Sequence, residues 1–175
     1  MELYRLGIKF FAELTGRIEL TELIPIFHEW IQKQTIEGHL LIDVHNYSHI
    51  EQGPGILLVA HQGNFSVDLA DGRIGLLYYR KQPIAALTEI VKPAVQSCRV
   101  LEQDARMRGR FQFRTDDVLV VANDRLLAPN NNETFTELEP QLSSALRQVL
   151  EKPFKLSRVS EDPKERLTIR AEVFT

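Results

Sequence analysis

A single cysteine, Cys98, stands in 175 residues, and no uninterrupted aliphatic run exceeds the five residues of 56–60 and 118–122. The lone thiol excludes an intrachain disulfide and any paired-cysteine zinc or redox motif, and its apolar helical surroundings mark it as buried. The short runs exclude a helical membrane span, which needs roughly 20 apolar residues. Met1-Glu2-Leu3-Tyr4-Arg5 has an early acid and no leader-type apolar stretch, so we expect no secretory leader and a reducing, cytoplasmic setting. HExxH, the G-x-S-x-G elbow, the P-loop and a G-x-G-x-x-G turn are all missing. Their absence removes the commonest sequence routes to metal hydrolysis, acyl transfer and nucleotide binding.

What is present is an ordinary globular composition: 43% hydrophobic, 26% charged, formal charge −3. Such a chain buries roughly 70% of the surface its unfolded form exposes, enough for one core without metal or disulfide staples. No linker or low-complexity segment divides it, which predicts a single α+β domain over residues 1–175.

Periodicity predicts an opening strand over 3–12 and a helix over 22–34, with Leu23, Ile26, Phe27, Trp30 and Ile31 on one stripe and Thr21 as N-cap. Strands are predicted at 40–47, 56–61, 65–69 and 74–80. Asp71-Gly72 provides the two positive-φ positions of a type I′ hairpin. A second helix carries Ile90, Val91, Ala94, Val95, Cys98 and Leu101. Strands at 110–114 and 118–122, a return strand at Leu126, a third helix through Leu138 and Leu146, and a final hairpin of 154–159 with 167–174 complete the chain. The expected class is α+β: a largely antiparallel sheet of seven or eight strands, three helices on one face, and element order β-α-β-β-β-α-β-β-α-β-β. Thr21-Glu-Leu-Ile-Pro25, Thr88-Glu-Ile-Val-Lys-Pro93 and Thr136-Glu-Leu-Glu-Pro140 are expected at three helix starts, through shared capping physics or an internal repeat.

The mild total charge conceals segregation. Residues 1–60 hold 4 basic and 8 acidic side chains, residues 61–115 hold 9 and 5, and residues 116–175 hold 8 and 11. The densest basic stretch includes Arg106, Arg110 and Arg114, interleaved with Phe111 and Phe113. Alternation puts these arginines and phenylalanines on opposite faces of a strand, against the shared surface that nucleic-acid stacking needs. The arginines are therefore expected in intramolecular pairs, with an oligomer or anion contact as the alternative.

Two polar clusters are candidates for chemistry. His45, beside Asp43 on one strand, and His61, ending the next, would supply imidazoles for ligand binding or acid–base work with Asn64 if their strands converge. No metal-ligand spacing is present, so no metal or cofactor is expected. Arg80 and Arg125, with Arg73, would bind a carboxylate or phosphate bidentately if they met in a cleft. The expectation is a non-enzymatic binding or assembly protein, associating with itself or a partner protein through a sheet face or edge. The alternative is a small enzyme or ligand-binding protein around His61, Asn64 and His45.

Overall fold

Alternation within the strands places one continuous apolar surface on one side of a sheet. A computed structural model describes Leu3 and residues 5–174; Met1, Glu2, Tyr4 (within the expected opening strand) and Thr175 lie outside the described residues. Eight strands form one sheet: β1 (Leu6–Leu14), β2 (Leu41–Tyr47), β3 (Gly55–Ala60), β4 (Gly63–Asp68), β5 (Gly75–Arg80), β6 (Phe111–Ala122), β7 (Phe154–Arg158) and β8 (Thr168–Val173). Their spatial order is β2-β3-β4-β5-β1-β6-β8-β7, and every pairing is antiparallel. Register carries Ile56, Val67, Leu76, Phe10, Val118, Ala171 and Leu156 across seven strands in one row. These residues, with Tyr78, Phe65 and Ile8 in the adjoining row, are buried in a single core.

Helices α1 (Leu23–Lys33), α2 (Thr88–Gln103) and α3 (Asn132–Leu150) cover that face. Each is amphipathic: α1 buries Leu23, Ile26, Phe27 and Trp30, and α2 buries the expected stripe including Cys98. Burial pushes the Cys98 thiol well above its ordinary pKa, so it is inert packing. No described helix is long and apolar enough to cross a membrane.

The α+β class with an eight-stranded antiparallel sheet and three helices holds, and the four strand segments expected between the first two helices form as β2–β5, one more than the expected element order counts, whereas only β6 separates α2 from α3. Residues 111–114 and 118–122 belong to one twelve-residue strand, with Arg110 left in the turn before it; its register slips opposite Phe10–Ala12, so Asp116-Asp117 is a strand irregularity and not a turn. No return strand forms at Leu126. Asp124 instead accepts the Leu126 and Leu127 amides through Oδ1, each at 3.1 Å, closing a local turn. The capping expectation also changes. Asn131, accepting the Thr134 amide at 2.8 Å, starts α3 ahead of Thr136, which lies inside the helix. Glu19 and Glu22 form a capping box before α1, so Thr21 caps nothing. The three Thr-Glu motifs therefore occupy unlike positions. Asp71 and Gly72 do take the positive φ values (61° and 69°) that the hairpin reading requires.

A candidate anion site on the helix-free face

Among the described residues, none of the three α-helices packs on the opposite face of the sheet. Its central row reads His45, Leu57, Ser66, Leu77, Lys9, Leu119, Arg170 and Ser157. The next row places Tyr79, Gly7, Val121 and Thr168 side by side. Lys9 is buried here, 4% exposed, because all three of its ammonium donors are used. Nζ donates to Asp68 Oδ2 at 2.8 Å, to the Ala70 carbonyl at 3.1 Å and to the Arg73 carbonyl at 2.7 Å. One lysine thus straps the β4–β5 turn down onto the sheet. Gly75, opposite Phe11, makes room, since a Cβ there would lie 2.9 Å from the Lys9 side chain.

This strapping delivers Arg73 to the face of Phe11, with its guanidinium 3.5 Å from the ring centroid. Cation–π contact fixes the arginine without using its N–H donors. Beside it opens a cleft of about 660 Å³, lined by Phe11, Arg73, Leu119, Arg125, Lys164, Arg166 and Arg170, with Asp71 and Glu165 as its acids. Arg170 is committed to Asp117, donating to its two oxygens at 3.0 and 2.8 Å. Arg166 donates to Asn123 Oδ1. Among the described residues, Arg73, Arg125, Lys164 and Arg166 have no carboxylate partner. Four cations without a direct carboxylate partner outnumber the two acids, Asp71 and Glu165, around one concavity and leave a net positive potential suited to phosphate or carboxylate groups.

The far wall is also positioned by the fold. Asn130, 3% exposed, donates through Nδ2 to the Ser160 and Asp162 carbonyls, both at 2.9 Å, and accepts from Arg158 Nε at 3.1 Å. Asp162 Oδ1 then accepts the Lys164 amide at 2.9 Å. The Asp124 turn sets Arg125 at the rim.

Arg125 and Arg73 therefore share a cleft, whereas Arg80 does not join them. Arg80 faces the helix side, in a pocket of about 400 Å³ with His39, Glu89 and Lys92. Its Nε is the buried side-chain nitrogen or oxygen without a partner among the described residues, and its Nη2 lies 3.7 Å from Glu89. Register separates His45, opposite Leu57, from His61 by four residues of β3, roughly 13 Å at strand rise. His45 sits 3.6 Å from Asp43 on the exposed edge strand, and His61 is exposed. Asn64 Oδ1 accepts the Ala60 amide, closing the β3–β4 turn. No group of three metal-ligating side chains forms among the described residues.

Three arginines of the basic stretch are paired within the chain, and Arg108 stays exposed. Arg106 pairs with Asp104 and Glu29, Arg110 bonds both Glu22 oxygens at 3.0 Å, and Arg114 holds Asp116. These arginines hold the Glu22 and Asp116 carboxyls below the usual carboxylate range. The segregated charges of the sequence thus meet inside one molecule.

His39 is the histidine that the fold buries. Its Nδ1 lies 2.9 Å from the Glu37 carbonyl and its Nε2 2.7 Å from the Tyr78 hydroxyl. A carbonyl only accepts, so Nδ1 carries the proton and Nε2 accepts from Tyr78, which in turn accepts from Arg80 Nη1 at 3.4 Å. Burial, opposed by the Glu37 carbonyl and assisted by the Arg80 charge, holds His39 below its ordinary 6.5. The folded state therefore binds this proton less readily than the unfolded chain. Stability should fall as pH drops below about 6.5, by at most about 1.4 kcal/mol per pH unit for one proton. Urea denaturation between pH 7.5 and 5 checks this: His39→Gln should flatten the slope, and parallel slopes would refute the assignment.

Fold and site together define an open-faced α+β protein with a basic cleft on its uncovered sheet. Among known proteins, no family model, no curated protein and no solved structure matches the chain.

Proposed function

We propose that this is a non-enzymatic binding protein whose ligand is a small polyanion, carrying phosphate or carboxylate groups, seated in the cleft beside Phe11. The observation that carries the reading is the convergence of Arg73, Arg125, Lys164 and Arg166, from three separate loops, on one concavity without carboxylate partners. Binding uses charge-assisted hydrogen bonds, and Arg73 is already oriented by the Phe11 ring, which lowers the ordering cost. A reducing cytoplasm suits the buried lone thiol.

Calorimetric titration with pyrophosphate tests the reading. Saturable one-site binding that weakens as salt rises from 50 to 300 mM is expected; no heat of binding, or none beyond that of bovine albumin, would contradict it.

Self-association is a second reading, favoured by the half-exposed Leu57, Val59, Leu77, Leu119 and Val121 on the uncovered face. A homodimer formed there would cover the cleft. Sedimentation velocity should then show dimers that pyrophosphate dissociates, and a monomer at every concentration would remove this reading.

A further inference from the structure

We infer that the ligand is amphiphilic: an anionic head joined to a flat apolar body about the size of one aromatic ring or a short acyl segment. This rests on the anion reading above and extends it to the neighbouring compartment. The basic cleft adjoins a second cavity of about 220 Å³, and Asp71, Leu119 and Arg166 line both. The second floor is made by Leu77, Tyr79, Leu119 and Val121, with Pro54 at the side.

Three features make this compartment apolar in effect. Gly7 stands between Tyr79 and Val121 in the register, and a Cβ there would meet the Leu77 and Tyr79 side chains at 3.2 and 3.3 Å. Glycine thus lets both lie down over the central strand and form a floor. Most of the polar side chains around the floor are engaged with one another, Lys9 with Asp68 and two carbonyls and Arg166 with Asn123, while Gln52 and Asp71 stand at the wall. A ligand group lying there meets few unsatisfied donors. The four floor residues are apolar or aromatic, and all remain partly exposed, so covering them removes apolar surface from water. A ring placed on this floor lies beside Arg166, which lines both compartments and can reach the head group's oxygens.

The volume of the second compartment sets the size of the body. It admits one ring or a short chain and not a long acyl tail. Only a molecule with both parts fills both compartments, which is why neither a bare anion nor a neutral apolar compound is the preferred occupant.

Paired titrations test this on the full chain, with inorganic phosphate and phenyl phosphate as probes. Phenyl phosphate is expected to bind at least tenfold more tightly, the gain of burying one ring on an apolar floor. Tyr79→Ser should bring phenyl phosphate down to the phosphate affinity while leaving phosphate itself within twofold. Val121→Thr, which keeps strand shape and adds only a hydroxyl, should cut the gain several-fold and serves if Tyr79→Ser fails to fold. Phosphate binding without a phenyl gain would overturn the inference and leave the anion reading standing. A gain that survives both substitutions would also overturn it, by placing the ring elsewhere. Binding of neither probe would overturn the inference, and the anion reading falls with it if pyrophosphate also fails to bind.

Discussion

Lys9→Met should lower the free energy of unfolding by about 3–5 kcal/mol, the usual cost of leaving one member of a buried ion pair behind. Methionine fills the channel, but Asp68, 6% exposed, would keep only the Ala70 amide at 3.2 Å. The Ala70 and Arg73 carbonyls would lose their ammonium donor as well. Lys9→Met combined with Asp68→Leu should recover part of the loss, because two apolar groups remove the stranded charge. Urea denaturation of the two variants checks both statements, and a loss under about 1 kcal/mol for Lys9→Met would mean that water reaches the pair. The same substitution should weaken anion binding, because the freed turn no longer holds Arg73 over Phe11.

The second large effect is on affinity. Arg73→Met with Arg125→Ala should weaken pyrophosphate binding at least a hundredfold, since each guanidinium offers charge-assisted hydrogen bonds worth about 1.5–3 kcal/mol. Methionine at 73 keeps Phe11 covered, and Arg125 is exposed, so stability should change little. Calorimetric titration beside denaturation separates the two readouts. Equal affinity for wild type and double variant would show that the anion sits elsewhere.

Periodicity was enough to find the class and most elements, because every strand but the edge strand β2 buries residues of one face and each helix buries one apolar stripe. The alternation of Leu6, Ile8 and Phe10 reads directly as a core face. What it could not reveal were contests between local and tertiary bonding. Asn131 and Thr136 are both competent caps, and only the site where the chain leaves the β6 loop decides between them. Asp116-Asp117 resembles a turn until Asp117 is paired with Arg170, 53 residues away. Lys9 is a polar residue in an apolar strand, and that was the available signal for a buried strap; its partners lie 59 to 64 residues off.

The site was partly legible. Arg73 and Arg125 were recognisable as candidate anion ligands conditional on sharing a cleft, and they line the same one. Arg80 was grouped with them by residue type, but it stands one position on from Tyr79, and strand alternation sends it to the opposite face. Lys164 and Arg166 gave no signal, because their placement depends on Asn130 reaching across some thirty residues to pin the loop that precedes them. The histidine pair failed on register, since strands that are neighbours still separate residues at different heights.

The most direct measurement of the central claim is a backbone amide NMR titration of the full chain with pyrophosphate. Saturable shifts should centre on Phe11, Arg73, Leu119, Arg125, Arg166 and Thr168, with the helix-side residues Glu37, Thr88 and Gln96 unmoved. Shifts confined to that helix side, or no saturable shifts at all, would contradict it.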